Sequence, residues 1–221
     1  MSKKMTFDYP NPQMGLVLQH FYDLHPEVVD RAGHQFFDNV HAMQERVAKE
    51  KIESLFNEWF IYDFHLKTDK TALETYLHRN PDNLDARELD LMKQALDSNF
   101  TGYFWIEKVD PESQLLVLRQ FDTGKIYEVH DMTASQSVTS NAGIVAIRMI
   151  QIDGDWFFAS DPIYFMPIPA LTESAHSDGS DNNDSRIQAD RGQDFLDVVK
   201  LHYGFHGTVP PTETNETNPQ N

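Results

Sequence analysis

Apolar residues run densely from about residue 16 to residue 169 and thin out beyond, which places the end of the folded part near Pro169. The first part of that span follows a helical period. Residues 15–24 suit a short helix, and Pro26 stands where a first helical turn tolerates proline. Val29, Ala32, Phe36, Val40, Met43 and Val47 then recur at intervals of three and four, forming one apolar face of a long amphipathic helix. Residues 52–64 differ. Ile52, Leu55, Phe56, Trp59, Phe60, Ile61 and Phe64 leave little polar surface, so this segment is predicted to sit at the centre of a helical core. Residues 71–79 predict a short helix with Thr71 or Asp69 near its cap. A turn at Asn80-Pro81-Asp82-Asn83 and a further helix over residues 85–96 follow.

At Ser98-Asn99 the period changes. Residues 103–109, 114–121, 125–130, 143–152 and 156–165 are short runs rich in Val, Ile, Phe, Tyr and Trp, each bounded by turn residues. Asp153-Gly154 between two such runs is a strong hairpin signal. The fold class predicted is α+β: an N-terminal helical region followed by a small five-stranded antiparallel, barrel-like sheet. The boundaries predicted are a helical region over 1–98, the β module over 99–169, a disordered acidic linker over 170–192, an isolated helix over 193–204 and a disordered tail over 205–221.

Charge and composition then remove several function classes. The net charge is -17, from 35 acidic and 18 basic residues, a field that repels nucleic-acid backbones and anionic lipid. With no cysteine there are no disulfides, thiolate metal sites or cysteine nucleophiles. No apolar run is long enough to span a bilayer, and Lys3-Lys4 is followed by no apolar stretch of the signal-peptide kind. A cytoplasmic location is the expectation.

Candidate chemistry is sparse. Glu58 and Asp63 are charged groups inside the most apolar segment, where acids are rarely buried without partners. Five residues apart, they lie about 140° apart on a helix and do not share a face. Pairing of each with a basic side chain, or capping of a neighbouring element, accounts for them better than an active site does. His34, Asp38 and His41 fall at i, i+4 and i+7, a spacing that suits metal ligands and equally suits a solvated helix face. Ser135, Ser137 and Ser140 lack a nucleophile elbow and read as loop. Tyr103, Phe104, Trp105, Trp156, Phe157 and Phe158 read as core before they read as a base-stacking surface. Lys108, Arg119, Lys125 and Arg148 are the only cations near them.

The run Phe56-Asn57-Glu58-Trp59-Phe60-Ile61-Tyr62-Asp63-Phe64 is followed by Thr71-Ala72-Leu73-Glu74-Thr75-Tyr76-Leu77 and by Asp122-Thr123-Gly124-Lys125-Ile126-Tyr127-Glu128-Val129. Ala146-Ile147-Arg148 and Asp161-Pro162-Ile163-Tyr164-Phe165-Met166-Pro167 come next. Over residues 52–168 this order resembles a family of uncharacterised bacterial proteins, some with a C-terminal SEC-C zinc motif. The resemblance implies a bacterial source. It carries no activity and no metal, because the cysteines of that motif are missing here.

The function expected is a non-enzymatic protein-binding or adaptor module without cofactor, with the helices as scaffold and the β module as the surface for a protein partner. Its site residues are expected to be Glu58, Trp59, Asp63 and Arg148. Two other readings stand beside it: a metal-dependent enzyme or metal-binding protein using the helical half, centred on Glu58, Asp63 and the face of His34, Asp38 and His41, and a single-strand nucleic-acid binder using the β module.

Overall fold

Pro26 does begin a helix. The computed structural model describes residues 9–40, 47–137, 143–167 and 194–204. Helices α1 (Met14–Leu24) and α2 (Pro26–Val40) are joined by the single residue His25 and pack on each other. The face of α2 is the expected one, with Val29, Ala32, Phe36 and Val40 buried. The helix is described as far as Val40; Met43 and His41 lie outside the described residues. Helix α3 (Lys49–Tyr62) runs through the middle of the helical layer and is buried almost all round, as its composition predicts. Phe36, Phe56, Phe60, Trp59 and Phe64 interlock edge-to-face and by stacking around it.

Helices α4 (Ala72–Arg79) and α5 (Ala86–Ser98) each start with a reciprocal capping box. Thr71 Oγ1 accepts from the Glu74 amide at 3.2 Å while the Thr71 amide donates to Glu74 Oε2 at 2.6 Å. Asp85 and Glu88 do the same for α5. A single residue separates α5 from the first strand, so the helix-to-strand junction falls at the change of period in the sequence.

Strands β1 (Phe100–Asp110), β2 (Leu115–Gln120), β3 (Ile126–His130), β4 (Gly143–Ile152) and β5 (Asp155–Phe158) close into a barrel in the order β1-β2-β3-β5-β4, with β4 returning to β1. Three features depart from the expected sheet. The pairing of β3 with β5 is parallel, the rest being antiparallel. The last predicted run is split: β5 ends at Phe158, and β6 (Tyr164–Pro167) returns beside the first half of β4. Met132–Ser137, read as loop, is a short helix, α6, in which Ser135 is buried. The hairpin at Asp153-Gly154 forms as the sequence predicts. Both residues take positive φ, 54° and 94°, which makes a tight two-residue connection between Ile152 and Asp155.

Strand β4 explains how barrel and helices join. Its inward residues Val145, Ile147 and Met149 fill the barrel with Phe104, Leu118 and Val129. Its outward residues Ala146, Ile150 and Ile152 belong to the helical core with Phe60, Tyr76 and Met92. A strand buried on both faces reads as a continuous apolar run, and that is the pattern of residues 143–152.

The C-terminal helix expected to be isolated is docked. Helix α7 (Phe195–Val199), continued by a π-helical turn over Lys200–Gly204, buries Phe195, Leu196, Val198 and Val199 in the same core as α2 and α3. Asp194 caps it, accepting from the Leu196 amide at 2.9 Å. His202 stacks on Tyr164 with centroids 3.9 Å apart. The stretch read as an acidic linker, residues 170–192, and the tail over 205–221 lie outside the described residues. Phe195→Ala is expected to cost about 3 kcal/mol in urea unfolding, in the range for deleting a buried aromatic ring. A loss below about 0.5 kcal/mol, the size of an ordinary surface substitution, would mean that the helix is not held on the domain.

Candidate functional site

The one arginine in the doubly buried strand β4 organises everything near it. Arg148 is 2% exposed and Glu58, on α3, is 4% exposed. Arg148 Nε donates to Glu58 Oε1 at 2.9 Å, Nη1 to Asn99 Oδ1 at 2.6 Å and Nη2 to Asp63 Oδ2. The planar guanidinium lies between two rings, its carbon 4.8 Å from the centre of Tyr62 and 4.9 Å from that of Phe195. Glu58 uses its second oxygen as well, accepting from Ser160 Oγ.

The pairing expected for Glu58 and Asp63 is thus found, on one shared partner. The helical angle between them ceases to matter because Asp63 is the residue after α3, with non-helical backbone. Of the four residues expected to form a site, Glu58, Asp63 and Arg148 come together. Trp59 does not: it faces the opposite side, against Phe36, Phe56 and Phe64. His34 and Asp38 are exposed on α2, and His41 lies outside the described residues. No group of three metal-ligating side chains occurs among the described residues.

The electrostatics follow from burial. Two carboxylates share one guanidinium. Burial pushes the Glu58 carboxyl above its ordinary range, with Arg148 and the Ser160 hydroxyl opposing. Burial likewise raises Asp63, again against Arg148. Burial disfavours the charge on Arg148, but Asp63 and Glu58 more than offset it and hold the guanidinium charged.

Beside this closed network a cavity of about 750 Å³ opens between α3 and one end of the barrel. Its apolar wall is made by Ile106, Leu116, Val145 and Phe158, which belong to the barrel interior, together with Ala134 and Pro162. Its polar wall carries Lys51 and Ser54 from α3, Asp131 and Thr133 around the start of α6, and Ser160 and Asp161. Lys51 Nζ is turned to the wall, donating to the carbonyls of Pro162 and Asp161. Its pKa is lowered by burial, with Asp161 and Glu58 opposing. Asp131 accepts from the Ala134 amide at 2.6 Å, capping α6, and its pKa is raised by burial, with Asp161 adding to the rise. Ser160 lines both this cavity and a smaller cleft, about 350 Å³, that reaches Glu58 from the side of α1.

These cavity residues carry little signal in the sequence. Asp131 before Met132-Thr133-Ala134 has the form of a helix cap, which marks α6 but not a cavity. Lys51 stands one residue before the apolar run of α3 and reads as its solvated flank. The aromatics of the β region divide between core and surface. Phe104, Trp156 and Phe158 pack with the barrel interior, whereas Trp105 stacks on Phe121 at 4.6 Å on its outside. Three of the four cations there are committed: Arg119 pairs with Glu107, Lys125 lies over Tyr127 at 4.7 Å, and Arg148 is buried.

Comparisons with protein-family models, with curated proteins and with solved structures return no match. The resemblance to the family with SEC-C-bearing members rests on its motifs alone.

Arg148→Met is expected to destabilise the protein by roughly 3–5 kcal/mol, the cost of leaving buried carboxylates without their cation. Glu58→Gln is expected to behave differently with pH. A carboxyl whose pKa is raised by folding contributes stability at acid pH that is lost as pH rises from its ordinary value, about 4.5, through the raised one. Glutamine has no such loss. The stability gap between wild type and Glu58→Gln, from denaturant unfolding at pH 4 and pH 8, should therefore shift in favour of the variant at the higher pH. A gap that moves the other way would place the Glu58 pKa below its ordinary value.

Proposed function

We propose that this protein is a non-enzymatic binding module whose ligand is a small molecule with an apolar body and an amine-bearing end, held in the cavity between α3 and the barrel. The observation that carries the reading is the lining itself. A cavity of this volume with one apolar wall and a few convergent polar groups has the form of a small-molecule site. Asp131 and Asp161 raise the local negative potential, while the one cation, Lys51, is engaged by backbone carbonyls. A ligand ammonium between the two carboxylates relieves their repulsion, and the acidic field of the chain concentrates cations around it. The one lining hydroxyl shown against a carboxylate, Ser160, donates to Glu58, whose other oxygen is held by Arg148, so that carboxylate is committed to the ion pair, which favours binding over catalysis.

A second reading, the adaptor with a protein partner on the β module, is favoured by the outer face of β1–β3. There Phe121 and Ile126 are 41% and 51% exposed, and Trp105 stacks on the former. The metal and single-strand readings have no comparable observation in their favour.

Titration calorimetry with 4-phenylbutylamine and 4-phenylbutyrate separates the small-molecule reading from the adaptor. The amine is expected to bind about tenfold tighter than the acid, equivalent to about 1.4 kcal/mol. Asp131→Asn, which keeps the α6 cap, should erase the difference. Ala134→Trp should block both by filling the cavity. Equal binding of the two probes, or none below millimolar concentration, sinks the small-molecule reading and leaves the adaptor.

A further inference from the structure

A different surface of the molecule collects positive charge. Five arginines lie among the described residues: Arg31, Arg79, Arg87, Arg119 and Arg148. Three pair with carboxylates: Arg87 with Asp153 and Asp90, Arg119 with Glu107, and Arg148 with Glu58 and Asp63. The two that have no carboxylate within 4.0 Å among the described residues, Arg31 and Arg79, line the same cleft. It is a small one, about 220 Å³, between α2, α4 and the turn after α3. Lys67 lines it too and likewise has no carboxylate partner among the described residues. In a chain with 35 acidic residues, three cations from three separate elements line one cleft together with a single acid. The one acid in the lining, Glu27, sits 3.8 Å from His25.

Two details show a prepared site rather than a loose cluster. The Arg31 guanidinium rests over the Phe64 ring at 5.6 Å, which holds it on an apolar base. Thr75 adds a buried hydroxyl with no hydrogen-bond partner among the described residues. Like charges crowded together cost stability unless an anion neutralises them. Guanidinium and ammonium donors approaching from several directions match the spread oxygens of a tetrahedral dianion better than one planar carboxylate.

We infer that the cleft of Arg31, Lys67 and Arg79 is a binding site for a phosphate-type oxyanion, either free or carried on a small organic molecule. The acidic field of the rest of the chain disfavours a polyanion, and the size of the cleft restricts the ligand to one anionic group with little attached. The site is distant in chemistry and in lining from the cavity beside α3, and neither reading depends on the other.

The test is titration calorimetry of the full chain with inorganic phosphate and with glycerol 3-phosphate at low ionic strength, sodium chloride of matched ionic strength serving as control. Saturable one-to-one binding is expected, weakened at least tenfold by Arg31→Gln or Arg79→Gln and unchanged by Arg87→Gln. Tighter binding of glycerol 3-phosphate assigns the anion to an organic carrier, and tighter binding of phosphate to the free ion. Thermal melts of the same variants guard against misfolding: phosphate should raise the Tm of the wild type and leave that of Arg31→Gln/Arg79→Gln where it is. Absence of saturable binding, an equal effect of chloride, or equal weakening by Arg87→Gln would overturn the assignment.

Discussion

The structure depends on one buried cation. Arg148 leaves the centre of β4 on the side that faces the helices, where only 2% of it is exposed to bulk solvent. All three of its nitrogens donate, each to a different part of the fold: Nε to Glu58 of α3, Nη2 to Asp63 just beyond it, and Nη1 to Asn99 at the α5–β1 junction. Its two faces are covered by Tyr62 and by Phe195 of α7. An ionic network of this kind adds little net stability over apolar side chains of the same shape, because desolvation offsets the attraction of its charges. What it does impose is a penalty on every other arrangement. Sliding α3 by one turn, or moving α7 off the sheet, leaves a buried charge exposed to a low-dielectric interior without its partner. The helical layer is therefore registered on the barrel at one position.

The second consequence concerns the cavity. Glu58 uses its two oxygens in opposite directions, one toward Arg148 and one toward Ser160. The amide of Ala159 donates to the Arg148 carbonyl at 3.0 Å. The segment from Ala159 to Pro162, which walls the cavity, is thus tied at both its backbone and its side chain to the residue that fixes the helices. Lys51, about two turns before Glu58 on α3, anchors the other end of that wall through its carbonyls. The shape of the cavity is set by the network beside it, and a ligand that displaces Ser160 acts on Glu58 directly.

Much of this was legible in the sequence, and the part that was not has a physical reason. The apolar period of α2, the encircled α3, the cap at Thr71 and the Asp153-Gly154 hairpin are local, and local chemistry settles them. Glu58 and Asp63 stood out because acids in an apolar run require a partner. That the partner is Arg148, ninety residues on, is a tertiary fact with no local trace. The parallel pairing of β3 with β5 escaped for a related reason. A hairpin places β5 beside β4, and only closure of the barrel brings it to β3. Helix α6 was missed because Thr133, Ser135 and Ser137 prefer turns and caps, and the helix stands on the cap at Asp131 and on burial of Ser135. The docking of α7 was unreadable because its apolar face matches a partner protein as well as it matches its own domain.

The two sites of opposite sign can coexist because the fold separates their charges by a neutralised core. On one side of α3 the carboxylates of Asp131 and Asp161 look into the cavity. On the other, Arg31 and Arg79 look into the cleft by Phe64. Between them lie Trp59, Phe60 and Phe64, and the Arg148 network, whose charges are satisfied internally. At physiological ionic strength, charges more than about 8 Å apart in solvent are largely screened from one another. The anion cleft therefore feels its own three cations far more strongly than the net charge of -17. A strongly acidic protein can hold a local anion site on those terms, and the sign of the whole chain does not dictate the sign of each ligand it takes.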